Sequence, residues 1–457
     1  MTAIADVNWQ QLGDEATRLL SELLQIDTTN PPGNERAAAE HLQRFLRNEG
    51  IESELLEKES GRTNILARLQ GSRPGPTLML LSHTDVVPAT NPDQWDQPPF
   101  SGAIDDDGWV WGRGALDMKS MTAMEALVFA LFKRAGLDFA GELIFLAVAD
   151  EEMGGTCGAR WLAEAHPDKV KADYVLNEMG GWPFQLGDRT FYTIETVEKG
   201  LWWVKVRVTG TAGHGSMPHD DNPLVKSSRF IQRVAEYPFP KMVSPAIRSF
   251  FETTAEAFGS QGREIASALL DGDDEPDLKA LFDGTPISPW MVNAFLRTTC
   301  SPTKIEAGLK ENVIPDACEF VLDFRFVPGY SQAEIEDVMR SIADDLDIAI
   351  ELETLQANEA SESPVDHDFY RAIEETVREE ISGAEPIPYM LTGATDSRFM
   401  RDIGAVAYGF SPLTTRMSMA DRAALIHNDN ERIDAESLEL GVRLLSKVAM
   451  KTLDVVG

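Results

Sequence analysis

Three short, almost wholly apolar runs constrain the fold of this chain more than any other feature. They are ThrLeuMetLeuLeu at 77–81, LeuIlePheLeuAlaVal at 143–148 and AspTyrValLeuAsn at 173–177. Runs of this length without polar alternation suit strands covered by other elements on both faces. Met118 to Arg134, between the first two, carries apolar residues at helical spacing. Strands alternating with crossover helices predict an α/β fold with a central, mostly parallel sheet. Trp9 to Leu24 and Arg36 to Asn48 read as two further helices, interrupted by TTNPPGNE.

From Gly200 the pattern changes. LWWVKVRVTG (201–210) and CEFVLDFRF (318–326) alternate like half-exposed strands, while Pro223 to Glu236 and Glu334 to Leu346 read as amphipathic helices. Two strand-plus-helix units predict a small antiparallel sheet with helices on one face. The expected organisation is therefore an α+β domain at residues 199–357 inserted into a catalytic domain formed by 1–198 and 358–457. The acidic stretch 241–300 reads as an irregular insertion. Asp366 to Ile381, the loop LTGATDSRF and the helix Ala435 to Leu453 return to the first domain.

The 457 residues carry 41 Lys+Arg against 75 Asp+Glu, a formal charge of −34. That balance excludes nucleic acid and anionic membrane surfaces as partners. It also suits a salt-rich habitat, where self-repulsion is screened. No stretch reaches the ~18 consecutive apolar residues a bilayer span needs, and the opening MTAIADVNWQQLGDE lacks a basic stretch followed by an apolar one, so the expected location is cytoplasmic. Cys157, Cys300 and Cys318 show no CxxC spacing, which indicates neither a disulfide framework nor a thiolate metal site. Cys157 reads as a small buried residue.

The chemistry lies where the apolar runs end. SerHisThrAspValValPro sets His83 and Asp85 two residues apart, AspGluGluMetGlyGly gathers Asp150, Glu151 and Glu152, and AsnGluMetGlyGly places Glu178 after the third run. Asp117 lies just before the helix that follows GlyArgGlyAlaLeu. Each alone has an ordinary explanation: a core histidine, a solvated acidic turn, a helix N-cap. Together they differ, because neighbouring strands of an α/β sheet open at their carboxyl ends into one crevice. The carboxylates of Asp85, Asp117, Glu151, Glu152 and Glu178, sharing that crevice with His83, would repel and protonate unless positive charge compensates them. Two divalent cations supply it. A mixed histidine and carboxylate set suits zinc, with manganese or cobalt as substitutes, and a spare carboxylate is placed to deprotonate water.

At these residues the chain resembles the M20 family of di-zinc peptidases and deacylases, which includes glutamate carboxypeptidases, aminoacylases, acetylornithine deacetylase and succinyl-diaminopimelate desuccinylase. The likeness covers essentially the whole length through the ordered motifs SHTDVVP, GRGALDMKS, DEEMGG, NEMGG, GTAGHGSMPH, ENVIPD, LTGATDSRF and ALIHNDN. It implies a zinc-peptidase-like catalytic domain with an inserted lid and dimerisation domain. Asp117 would bridge two Zn2+ ions, His83 and Glu178 would complete one site, and Glu152 and His427 the other. Asp85 would orient His83, and Glu151 would be the general base and acid. The peptide bond after Asp117 would be cis. His214 would stabilise the oxyanion, reaching the partner subunit's site in dimeric members. Asn312 and Arg325 would hold polar groups of the substrate, and the backbone of Gly393 would contact it.

Without the resemblance, His427 after AlaAlaLeuIle carries no ligand signal, and His214 and Gly393 read as turn residues. Arg325 reads equally as half of an ion pair on an exposed strand face. In the family, Glu rather than Asp at position 178 accompanies carboxypeptidases and deacylases. The implied function is an N-acyl-amino-acid deacylase or carboxypeptidase that releases an amino acid with a free carboxylate, closest in motif wording to the carboxypeptidase S-like branch. The substrate would be an N-acyl amino acid or short peptide, and the lid domain would mediate a homodimer. An aminopeptidase or dipeptidase is the rival within the family. A catalytically silent relative that binds metal or a partner is the rival of another class; its signature, loss of Glu151 or of a ligand, is absent.

Overall fold

The computed structural model describes residues 7–272 and 288–456. The first half of the chain supplies strands β1 (Ser53–Glu59), β2 (Arg62–Gln70), β3 (Arg73–His83), β4 (Ala140–Val148), β5 (Tyr174–Asn177) and β6 (Arg189–Glu198). They belong to a ten-stranded sheet. At its centre β3 runs parallel to β4 on one side and to β5 on the other, and the late strand Val406–Gly409 runs parallel to β5. Antiparallel β1 and β2 extend one edge, and β6 with the parallel strand Ala384–Leu391 extends the other.

The apolar runs are strands for the reason expected. Leu78 and Leu80 enter the core on one face of the sheet, Met79 and Leu81 the core on the other, and all four are fully buried. Each such side chain contributes roughly 1.5–3 kcal/mol by leaving water. Helix α1 (Trp9–Leu24) is capped by the Asn8 side chain. Helix α2 (Lys119–Arg134) is buried along its length from Lys119 to Phe132, packed between β3 and β4, α1 and the terminal helix Ala435–Thr452.

A second, four-stranded antiparallel sheet is built from β7 (Gly200–Thr209), β8 (Thr299–Ala307), β9 (Ala317–Phe326) and β10 (Ile350–Asn358), in the order β8-β9-β7-β10. Val204, Val206 and Val208 on β7 and Phe320, Leu322 and Phe324 on β9 face one shared core. Helices α3 (Pro223–Ala235) and, further on, Gln332–Asp345 cover it through Phe230, Val234, Ile335 and Met339.

The stretch 241–300 departs from the irregular reading: it forms helices α4 (Pro245–Ala255), α5 (Gly259–Asp271) and α6 (Pro289–Leu296), while 273–287 lies outside the described residues. Ser244 caps α4 with Pro245 at the first helical position, and Ile247, Phe250, Phe251 and Ala255 share one buried face. That face packs on Phe191 and Val197 of β6 and on Ile387 and Met390 of Ala384–Leu391, so these helices cover the large sheet rather than the small one. The acids that set the composition of this stretch cluster at 271–277, whereas α4 carries only Glu252 and α6 none. Lys199, between β6 and β7, is buried and donates to the carbonyls of Ala294 (2.9 Å) and Arg297 (2.9 Å), tying the junction of the two sheets to α6. Among the described residues, no helix is long and apolar enough to cross a membrane.

Candidate metal centre

Because β3, β4 and β5 are parallel neighbours, their carboxyl ends open on one side. His83 ends β3 in register with Val148 of β4, Asp150 to Glu152 follow β4 at once, and Glu178 follows Asn177 at the end of β5. Asp117 arrives from the turn before α2, and His427 from a turn near the end of the chain. Left-handed backbone in non-glycine residues occurs at two of these positions, Asp150 (φ 71°) and His427 (φ 60°), and at Met179 (φ 67°), next to Glu178. Such conformations gather where function over-determines them. The Asp117–Met118 peptide is cis.

Asp117 offers one oxygen to each histidine. Its Oδ1 lies 3.1 Å from His83 Nε2 and its Oδ2 lies 3.1 Å from His427 Nε2. Glu178 Oε1 is 3.8 Å from His83 Nε2, and Glu152 Oε2 is 3.3 Å from His427 Nε2. Two groups result, His83–Asp117–Glu178 and Asp117–Glu152–His427, each with its donor atoms within 4.8 Å of one another.

Electrostatics describes a site short of positive charge. Burial, then the neighbouring Asp117 carboxylate, pushes the Glu178 carboxyl well above its usual range and raises that of Glu152. Burial opposes the charged form of His83, but its hydrogen bonds to Asp117 and Asp85 outweigh that and lift its pKa well above the ordinary value. Hydrogen bonds to Asp117 and Glu152 lift His427 to about 10. Burial works against ionised Asp117, yet the two histidines hold its carboxyl well below the carboxylate range. Retained protons balance the cluster, and a divalent cation is the natural replacement for them. Glu152 Oε1, buried without a hydrogen-bond partner, leaves a donor free for such an ion. Imidazole with carboxylate fits zinc, cobalt or manganese.

Asp85 is fully buried beside His83. His83 Nδ1 lies 3.0 Å from the Asp85 backbone oxygen and 3.4 Å from its Oδ1, so the backbone carbonyl is the better-placed acceptor. The Asp85 carboxylate accepts from the Asn30 side chain (2.8 Å) and from the backbone N–H groups of Glu151 and Glu152 (both 3.2 Å). Glu151 belongs to neither group of donors. Burial pushes its carboxyl well above the usual range, as do the charges of Asp396, Glu178 and Glu152, against the pull of His83.

The remaining sequence candidates stand apart from this cluster in their contacts. His214 and Asn312 neighbour each other on a two-stranded ribbon where His214 pairs with Val313 and Gly215 N donates to the Asn312 carbonyl (2.8 Å). Arg325, on β9, is engaged by Asp323 (Nε to Oδ1 2.8 Å, Nη2 to Oδ2 3.2 Å) and lies over the Trp203 ring, the ion-pair alternative of the sequence reading. Gly393 sits half-exposed in its loop, where a Cβ would meet only the Leu391 side chain at ordinary contact distance (3.8 Å). Cys157 is buried, its backbone N–H held by Asp150.

Sequence reasoning missed Asn30, Asp396 and Glu431. Asn30 bridges the carboxylates of Asp85 and Asp150. Asp396 is buried with both oxygens unpartnered, and burial lifts its carboxyl to about 7. Glu431 accepts hydrogen bonds from the turn that carries Asp117. The signals were present, an Asn before ProPro, an acid inside LTGATDSRF and another just after ALIHNDN, but each is ordinary by itself.

Fold and donor set together define a metal-dependent amide hydrolase. The chain belongs to peptidase family M20/M25/M40, which matches residues 79–451. It is 31% identical to the N-fatty-acyl-amino acid synthase/hydrolase PM20D1 of Xenopus tropicalis, over 80% of this chain and 70% of that one. It is 26% identical to aminoacylase-1B of Rattus norvegicus over 94% and 93% of the two chains. An M20 family metallo-carboxypeptidase of Sulfolobus solfataricus shares the fold at a TM-score of 0.71 and 18% identity, covering 96% of this chain and 99% of that one. A dinuclear metal-binding M20 peptidase of Bacillus subtilis does so at 0.62 and 15%, covering 98% and 99%.

Proposed function

We propose that the protein hydrolyses the amide bond of N-acyl amino acids or short peptides, releasing an amino acid with a free carboxylate, and that its native metals are two Zn2+ ions. The observation that carries the chemistry is Asp117 turned to both histidines at 3.1 Å, with Glu151 beside the pair and outside it. The relatives named for N-acyl amino acids support the substrate class. His83, Asp117 and Glu178 would hold one ion, Asp117, Glu152 and His427 the other, with Asp85 orienting His83. Bound there, the ions would supply positive charge that polarises a carbonyl and eases deprotonation of water.

Glu151 takes the proton of the attacking water and returns it to the leaving amine; its raised pKa suits both steps. His214 supplies a donor to the developing oxyanion when the small sheet closes over the large one as a lid. Its Nδ1 accepts from the backbone N–H of Ser216 (3.2 Å), which leaves the ring proton on Nε2 and free to donate. Asn312 and the Gly393 backbone orient the substrate's polar groups, and Arg325 reaches a substrate carboxylate by exchanging Asp323 for it. The exposed edge strand β8 supports a homodimer through the lid, and three unpaired cysteines support a cytoplasmic location.

The test is hydrolysis by zinc-reconstituted protein of a matched panel: N-acyl amino acids, dipeptides with blocked amines and dipeptides with blocked carboxylates. Cleavage that requires a free carboxylate is the expected result. Cleavage that requires a free amine moves the protein to the aminopeptidase or dipeptidase branch, and no cleavage with both ions bound makes it a silent relative.

A further inference from the structure

Glu431 is fully buried, and its carboxylate is saturated by one short turn. Oε2 accepts from Arg113 Nη1 (2.6 Å) and from the backbone N–H of Gly114 (3.1 Å). Oε1 accepts from the backbone N–H of Leu116 (2.7 Å) and of Asp117 itself (3.1 Å). These four donors match the accepting capacity of a carboxylate, and all come from the turn that presents Asp117. The backbone carbonyl of Glu431 also accepts from Gly112 N (3.0 Å).

Glu431 lies four residues after His427, in a loop that the rest of the chain pins on both sides. Behind it, Arg432 to Asp434 pair with Trp109 to Trp111, and the Arg432 guanidinium stacks over Trp111 (4.6 Å). Ahead of it, Trp95 Nε1 donates to Asp429 (3.0 Å), and Asp96 N donates to the Asn430 side chain (2.6 Å). His427 and Asn430 both hold left-handed backbone, φ 60° and 65°, a conformation that non-glycine residues keep only where contacts impose it. His427 is half exposed, so packing alone does not place it.

We infer that Glu431 is a positioning residue that locks the Asp117 turn to the His427 loop and thereby sets the Asp117–Glu152–His427 metal site. The His83–Asp117–Glu178 group shares Asp117 with that site but takes no ligand from the late loop, so it should weaken less and serves as the comparison. The inference rests on the dinuclear part of the functional reading and not on the substrate.

Metal-free wild type, Glu431→Gln and Glu431→Asp are titrated with Co2+ by visible absorption and calorimetry, with thermal unfolding of each metal-free protein alongside. Gln keeps one accepting oxygen but turns a donor amide on the other two of the four donors, and Asp keeps the charge but withdraws its reach. Wild type should take two equivalents. Both variants should melt cooperatively, keep the first equivalent within about threefold and bind the second roughly 10–100-fold more weakly, the usual effect of an outer partner on a ligand. Two equivalents at wild-type affinity, or equal weakening of both, overturns the inference. If the Gln variant fails to fold, the Asp variant decides; if neither folds, Glu431 serves the fold alone and the inference falls. Wild type that binds two ions but fails the substrate panel sinks the substrate reading and leaves this one standing, whereas fewer than two ions in wild type defeats both.

Discussion

Replacing Glu151 with Gln separates the base from the ligands. The backbone N–H of Glu151 that holds Asp85 survives the substitution, and the side chain belongs to neither donor group, so both metal equivalents should remain. The proton acceptor is gone. A positioned general base contributes about 10²–10⁴ in rate, so kcat should fall by that factor, about 2.7–5.4 kcal/mol of barrier. Stability should move the other way. Burial and the Asp396, Glu178 and Glu152 carboxylates hold the Glu151 carboxyl well above 4.5, its value in the unfolded chain. A carboxyl raised in the folded state costs stability progressively as pH rises above the unfolded pKa. Metal-free Glu151→Gln should therefore melt above wild type, by a margin that widens from pH 4.5 upward. Steady-state kinetics on an N-acyl amino acid, metal analysis and melting curves across pH measure all three. A kcat within tenfold of wild type, loss of a metal equivalent or a variant less stable than wild type at pH 7 would refute the reasoning.

Asp85→Asn keeps the backbone carbonyl beside His83 but turns a buried amide N–H2 on groups that donate, so metal affinity should drop roughly 10–100-fold and the metal-free protein should lose about 1–3 kcal/mol in urea unfolding; competition against a chelator reads the first. Gly393→Ala meets only an ordinary contact with Leu391 and an unstrained backbone, so Tm should hold within a degree or two; a rise in KM would reveal the substrate contact, and an unchanged KM would remove Gly393 from the site. Phe250→Ala empties the cluster that fixes α4 to the large sheet and should cost about 3–5 kcal/mol in urea unfolding, with a loss under 1 kcal/mol counting against that packing. With a net charge of −34, Tm should rise as NaCl increases from 0.05 to 1 M, and a flat or falling curve would show that self-repulsion is unimportant.

What the chain order alone determined is whatever local periodicity and strand direction can carry. Apolar runs ending at Leu81, Val148 and Asn177 specified buried strands, and parallel strands bring the residues just past their ends together, so His83, Glu151, Glu152 and Glu178 were legible as one site. Alternation in CEFVLDFRF marked the small sheet as surely. His427 entered only through family resemblance, and Glu431 not at all, because their roles exist through contacts with the Asp117 turn, 314 residues away from Glu431 in the chain. No local pattern encodes a hydrogen bond of that range. The helices of 241–300 were hidden for a related reason: acidic composition outweighed an amphipathic spacing whose apolar face acquires meaning only against β6 and its neighbour. Arg325 shows the limit from the other side. An arginine on an alternating strand fits a carboxylate of either substrate or protein, and only the tertiary structure placed Asp323 within 2.8 Å of it.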